Sequence, residues 1–139
     1  MIPSVSVVST LVLGGARSGK SRHAERIVLG SGLEPVYLAT ADAFDEEMTR
    51  RIARHRADRA DAGWITIEER LDLPNAIRRE SDVGRCLLVD CLTIWLTNVI
   101  LAGHDEEAAG IDLVAALREI TDPIVIVSNE VGLGIVPDT

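Results

Sequence analysis

The octapeptide GGARSGKS at residues 14–21 meets the spacing G-x-x-x-x-G-K-[ST] with Gly14, Gly19, Lys20 and Ser21. Glycines at the two fixed positions let successive backbone amides turn inward, which makes an anion cradle at the positive end of the helix that follows. The chemistry predicted is therefore the grip on a nucleoside triphosphate by the backbone of Gly14, Gly15, Ala16, Arg17, Ser18, Gly19, Lys20 and Ser21. Lys20 supplies a point charge between the β- and γ-phosphates and is the expected catalytic cation. The Ser21 hydroxyl is the expected Mg²⁺ ligand.

A second candidate lies in the run CLLVD, Cys86 to Asp90, an apolar strand that ends in a carboxylate. Such an aspartate suits a Mg²⁺ ion or its water shell opposite Ser21, held directly or through water. Apolar strands also end in Asp to cap a following helix, and Asp90 before Cys91-Leu92-Thr93 fits that role equally well. The arginines Arg50, Arg51, Arg54, Arg56 and Arg59 fall within ten residues of one another. They read either as a site for a small polyanion or as a solvated helix face paired with Asp45, Glu46 and Glu47. His55 shares a helical stripe with Met48 and Ile52, and that pattern alone favours a partly buried structural histidine. His23 and His104 read as exposed, one on a helix face and one in a polar turn.

These groups need a scaffold, and the chain alternates as a parallel α/β layer does. Short β-branched runs at Ser6–Leu13, Pro35–Ala39, Trp64–Glu68, Cys86–Asp90 and Ile124–Ser128 are separated by helical spacing. One helix follows the glycine loop through Ala24, Ile27 and Val28, and another carries Met48, Ile52 and His55. Leu92 to Leu101 is apolar nearly all round and is expected to be a buried helix. Asp105 to Ile120 opens with acidic residues and carries Arg118 near its end, in keeping with the helix dipole. The fold class expected is a P-loop α/β domain, a mostly parallel sheet flanked by helices, with residues 1–139 forming a single domain.

Composition bounds the function. With 139 residues, 47% hydrophobic but 3% aromatic, the core must be built from Val, Ile, Leu and Ala. A net charge of −8 argues against a sequence-independent grip on DNA or RNA. Cys86 and Cys91 match neither a CxxC pair nor a zinc set, so both are expected as reduced core thiols. The N-terminal MIPSVSVVSTLVLGG lacks a basic n-region and runs straight into the glycine loop, so it reads as the first strand. No run reaches the ~20 apolar residues of a membrane span, and the expected location is the cytoplasm.

Together GGARSGKSRHAE (14–25), VYLATA (36–41), DEEMTRRIARHRADR (45–59), WITIEE (64–69), LLVDCLTIWLTN (87–98) and VSNEVGLGIVP (127–137) resemble the bifunctional adenosylcobinamide kinase / adenosylcobinamide-phosphate guanylyltransferase family of cobalamin biosynthesis. The resemblance runs along nearly the whole chain. It implies two reactions, phosphorylation of adenosylcobinamide and transfer of GMP from GTP onto that phosphate, with GTP and ATP as substrates. It makes His55 the guanylylated histidine, displacing the structural role that spacing alone favours. It also implies nucleotide contacts at Ala39, Thr40, Ala41, at Arg56, Ala57, Asp58 and Arg59, at Glu68 and at Asp90, and a homotrimer as the assembly. Family members continue for a few tens of residues past GIVP with another helix and a final strand. A chain ending at Thr139 is expected to lack that pair and to expose a hydrophobic strand edge. The competing readings are a single-activity small-molecule kinase with a structural His55 and a nucleotide-dependent switch without transfer chemistry.

Overall fold

The computed structural model describes residues 9–14, 19–41 and 45–129. Among the described residues five strands form one sheet: β1 (Ser9–Gly14), β2 (Glu34–Ala39), β3 (Ile65–Glu68), β4 (Arg85–Asp90) and β5 (Ile124–Asn129). Their spatial order is β1-β5-β4-β2-β3 and every pairing is parallel. The expected α/β class with a parallel sheet is the one found. Five helices connect and cover it: α1 (Lys20–Gly30), α2 (Glu46–Asp61), α3 (Leu73–Glu80), α4 (Leu92–Leu101) and α5 (Glu106–Glu119).

The central strands read as continuous apolar runs because both faces of the sheet are covered. Val36, Leu38, Leu87, Val89, Ile124 and Ile126 point to the face packed by α3, α4 and α5, through Leu73, Ile77, Trp95, Val99, Leu113 and Ala116. The alternate residues Tyr37, Leu88, Val125 and Val127 point to the opposite face, against Ala24 and Val28 of α1 and beside Trp64 and Cys86. Trp95 is 1% exposed and its indole donates to the Leu71 carbonyl at 2.8 Å, so its burial leaves no polar atom unpaired. Cys86 and Cys91 are free and buried, as expected, and burial raises both thiols above their ordinary range.

Local signals explain the helix starts. The Asp45 carboxylate accepts from the Met48 amide at 2.7 Å, with Glu46 and Glu47 in the first turn and Arg59 in the last. Asp105 caps α5 in the same way, accepting from Glu107 at 2.9 Å. Gly19 precedes α1 at φ 79°, a left-handed turn that favours glycine.

Two expectations need correction. Helix α4 is not buried all round: Trp95 and Val99 face the sheet, whereas Ile94, Ile100 and Leu101 are exposed, Leu101 by 73%. Its sequence is apolar on every side, but a helix packed on a sheet can bury only the stripe that meets it. Helix α3 has no counterpart in the sequence reading. It spans eight residues, and its signals were present in Pro74 at the first turn and in Leu73, Ala76 and Ile77 at helical spacing.

Candidate active site

The sheet register decides which residues can meet. Ala39 lies opposite Asp90 and Glu68, and Asp90 lies opposite Val127, while Gly14 pairs with Asn129. Gly14, Ala39, Glu68 and Asp90 therefore all stand at the carboxyl ends of parallel strands, where α/β sheets place their ligands. Gly15, Ala16, Arg17 and Ser18 lie outside the described residues. The rest of the motif does not: Gly19 makes the turn into α1, and Lys20 and Ser21 begin it.

Asp90 does not cap α4. That position belongs to Cys91, whose Sγ accepts from the Ile94 amide at 3.4 Å. The Asp90 carboxylate is turned instead towards α1, where Oδ2 accepts from the Ser21 hydroxyl at 3.1 Å and from the Tyr37 hydroxyl. Two hard oxygen groups, one an alcohol and one a carboxylate, thus meet beside the N-terminus of α1. Ser21 can donate its proton to Asp90 and still present lone pairs to a cation, so this donor set suits Mg²⁺. Among the described residues no cluster of three or more His, Cys, Asp or Glu could hold a metal.

Thr40 follows β2 and is wholly buried. Its hydroxyl donates to the Cys91 carbonyl at 2.8 Å and accepts from the Cys91 amide at 2.8 Å, and its own amide donates to the Asp90 carbonyl at 3.1 Å. The Asn98 side chain holds the Thr40 carbonyl at 2.9 Å. The end of β2 thereby pins the backbone on which Asp90 sits.

Helix α2 divides its residues between core and solvent. Met48 and Ile52 are half-buried and His55 is exposed. Arg59, one turn beyond His55, is buried: its guanidinium carbon lies 3.7 Å from the centroid of the Tyr37 ring and its Nε donates to Thr66 Oγ1 at 3.4 Å. Trp64 meets the other side of this arrangement, edge to face with Tyr37 at 5.6 Å. Arg56 is exposed and pairs with Glu68 at 3.0 Å, and Ala57 and Asp58 are exposed beside it.

A cleft of about 570 Å³ opens between α2 and the end of β3, with Ala41, Ile52, Ala53, Arg56 and Glu68 among its walls. It is large enough for a nucleoside. Of the residues expected at the nucleotide, Ala41, Arg56 and Glu68 line this cleft, whereas Ser21 and Asp90 gather around the start of α1.

Two groups at this end went unnoticed in the sequence. Glu25 is half-buried on α1 and feels Arg59, Asp90, His55 and Arg22. Burial raises its carboxyl above the ordinary value and Asp90 adds to the rise, against the lowering led by Arg59. Tyr37 is the chain's single tyrosine, and burial first, then the Asp90 charge and hydrogen bond, hold its phenol protonated. A polar-tipped aromatic inside an otherwise aliphatic strand, two residues before the position opposite Asp90, was the available signal.

The cobinamide kinase / cobinamide phosphate guanyltransferase family model matches residues 10–139. The chain belongs to this family. Among proteins of that kind, the bifunctional adenosylcobalamin biosynthesis protein CobP of Pseudomonas aeruginosa is 55% identical over 129 residues, covering 91% of this chain and 74% of that protein. The bifunctional adenosylcobalamin biosynthesis proteins CobU of Escherichia coli and Salmonella typhimurium are 36% and 38% identical, each over 78% of its length. The family match takes in β1 from Thr10 on, the start of α1, helix α2 and the Asp90 strand, so every described residue of the candidate site lies within it. No helix among the described residues is long and apolar enough to cross a membrane.

Proposed function

We propose that this protein phosphorylates adenosylcobinamide on its aminopropanol hydroxyl and then transfers GMP from GTP to that phosphate, giving adenosylcobinamide-GDP. The observation that carries the reading is the meeting of Ser21 and Asp90 at 3.1 Å at the head of α1, in a chain of the cobinamide kinase / cobinamide phosphate guanyltransferase family. Helix α2, with His55 exposed to solvent, borders the neighbouring cleft.

In the kinase step the amides of residues 14–21 and the Lys20 ammonium hold the triphosphate, and the acceptor hydroxyl attacks the γ-phosphorus as the bond to the nucleoside diphosphate breaks. In the second step a neutral ring nitrogen of His55 attacks the α-phosphorus of GTP. The bond from that phosphorus to the bridging oxygen breaks and pyrophosphate leaves, its charge offset by the same amides and Lys20. A phosphate oxygen of adenosylcobinamide phosphate then displaces His55 and regenerates the free imidazole. Ser21 and Asp90 would hold a Mg²⁺ ion, whose charge would offset that of the phosphates in either step. Arg56, Glu68 and Ala41, on the walls of the cleft, would meet the nucleoside, and family resemblance extends that contact to Ala39 and Thr40 at the end of β2.

The chain acts as one nucleotide-binding domain and assembles as a homotrimer, in which His55, exposed on α2, serves a site completed by a neighbouring subunit. Family resemblance and that exposure support the assembly. Sedimentation of the active protein tests it, and a monomer fully active at nanomolar concentration would contradict it. The activity itself is tested by incubating the protein with adenosylcobinamide, ATP, GTP and Mg²⁺ and following the corrinoid by mass spectrometry. A phosphate adduct followed by a GDP adduct is expected. A corrinoid that gains phosphate and never the nucleotide would leave a kinase alone.

A further inference from the structure

We propose that Tyr37 is a positioning residue, whose hydroxyl sets the Asp90 carboxylate for the metal–nucleotide complex and whose ring ties that carboxylate to the helix bearing His55. The proposal rests on the reading of Ser21 and Asp90 as the metal-binding pair, and it adds a residue to which neither the motif nor the family resemblance gives a role.

The geometry begins at Asp90 Oδ2, which takes hydrogen bonds from both Tyr37 and Ser21. Ser21 is on the first turn of α1, where a bound nucleotide alters its surroundings, whereas Tyr37 is 6% exposed within the sheet and cannot move with the ligand. The register places Tyr37 opposite Leu88, so it shares a sheet face with Asp90 two residues on, and the phenol reaches the carboxylate diagonally across the strands. A half-buried carboxylate without that donor would sample several rotamers. With it, Oδ2 is held from the sheet side as well as by Ser21, and the carboxylate keeps one orientation.

The second half of the device is the other face of the phenol. Arg59 lies 3.7 Å from the ring centroid and bonds Thr66 of β3 at 3.4 Å, while Trp64 closes the edge at 5.6 Å. Arg59 is one helical turn from His55, so the buried guanidinium fixes the last turn of α2 to the strand that orients Asp90. The two centres of the proposed chemistry are thus linked through a single side chain.

Tyr37→Phe removes the hydroxyl and keeps the ring, with its Arg59 and Trp64 contacts. Binding of a fluorescent GTP analogue is measured against Mg²⁺ concentration for the full chain and for Tyr37→Phe. Losing one hydrogen bond to a charged acceptor should raise the Mg²⁺ needed for half-maximal effect roughly tenfold. Metal-free nucleotide affinity should stay within about twofold, because the cradle amides are untouched. In transfer assays kcat at low Mg²⁺ should fall with nucleotide KM little changed, and excess Mg²⁺ should restore it. An unchanged Mg²⁺ requirement, or an equal loss of metal-free binding, would overturn the proposal. As a check on the unaltered protein, ¹³Cζ-labelled tyrosine gives a single resonance, since the chain has one Tyr. That signal should move more with GTP and Mg²⁺ than with GTP alone, and no difference would also overturn the proposal. If the protein binds nucleotide with this metal dependence but transfers neither phosphoryl nor guanylyl groups, the activity assigned above fails while the role of Tyr37 stands.

Discussion

Replacing Thr40 by Val removes one oxygen and keeps the branched shape of the side chain, so its effect isolates two hydrogen bonds. The Thr40 hydroxyl accepts from the Cys91 amide and donates to the Cys91 carbonyl, both at 2.8 Å, with Thr40 and Cys91 0% and 3% exposed. Water cannot replace the lost partner at such burial, so the amide alone should cost about 1–3 kcal/mol. With the carbonyl included, the total is about 2–4 kcal/mol, a large share of the ~5–15 kcal/mol that holds a domain together. For a chain of this size that is a fall in Tm of roughly 6–16 °C. Thr40→Ser is the control, losing a methyl worth about 1 kcal/mol but keeping both bonds. The assay is urea unfolding of the two variants and the parent, with the slope m checked for constancy. Midpoints for Thr40→Val and Thr40→Ser that coincide would refute the structural role. A stable Thr40→Val with weakened nucleotide binding would instead return Thr40 to the direct nucleotide contact that family resemblance implies.

Lys20→Ala should lower kcat of both transfers by roughly 10²–10³-fold or more, because one charge serves either leaving group; steady-state assays of each reaction check this, and loss of only one would break the shared-cradle mechanism. Glu25→Gln tests the sign of a raised carboxyl. The folded state holds its proton above the ordinary value of 4.5, so Glu25 costs stability as pH rises from there through its folded value. The variant should therefore unfold at higher urea than the parent near pH 7.5, and the gap should close by pH 4; a gap independent of pH would contradict the burial of that carboxyl.

Most of the fold was legible because the central strands carry uninterrupted apolar runs and the helices carry caps. Asp105 opens the predicted α5 and caps it in the structure, and Asp45, read only as a partner for the arginines, caps α2. What spacing could not say was how much of α4 the sheet would cover, since Ile94 and Trp95 are both apolar but only Trp95 is buried. The ambiguity at Asp90 had the same origin: cap and ligand support read alike in one dimension, and only the side chains of Ser21 and Tyr37, 69 and 53 residues away along the chain, separate them. Arg59 shows the reverse case. Its place in an arginine-rich helix suggested a small-anion site or a solvated face, and family resemblance a nucleotide contact, yet it is buried against the Tyr37 ring, which lies within reach only after α2 has packed on β3. His55 is the case where spacing misleads: its stripe with Met48 and Ile52 favours a partly buried histidine, but α2 leaves it exposed, and its chemical role comes from the family motif alone.

The central claim is that one cradle feeds two chemistries, the second through a covalent bond to His55. Incubation with α-labelled GTP and Mg²⁺, followed by denaturation, tests it most directly. A phosphoramidate on imidazole is labile in acid and stable in alkali, the opposite of a serine phosphate ester, so the account predicts label that survives base and is lost at low pH. His55→Ala should lose this label while ATP-dependent phosphorylation of adenosylcobinamide persists, because phosphoryl transfer to a hydroxyl depends on positioning and charge. Label retained by His55→Ala, or found on His23, would contradict the account.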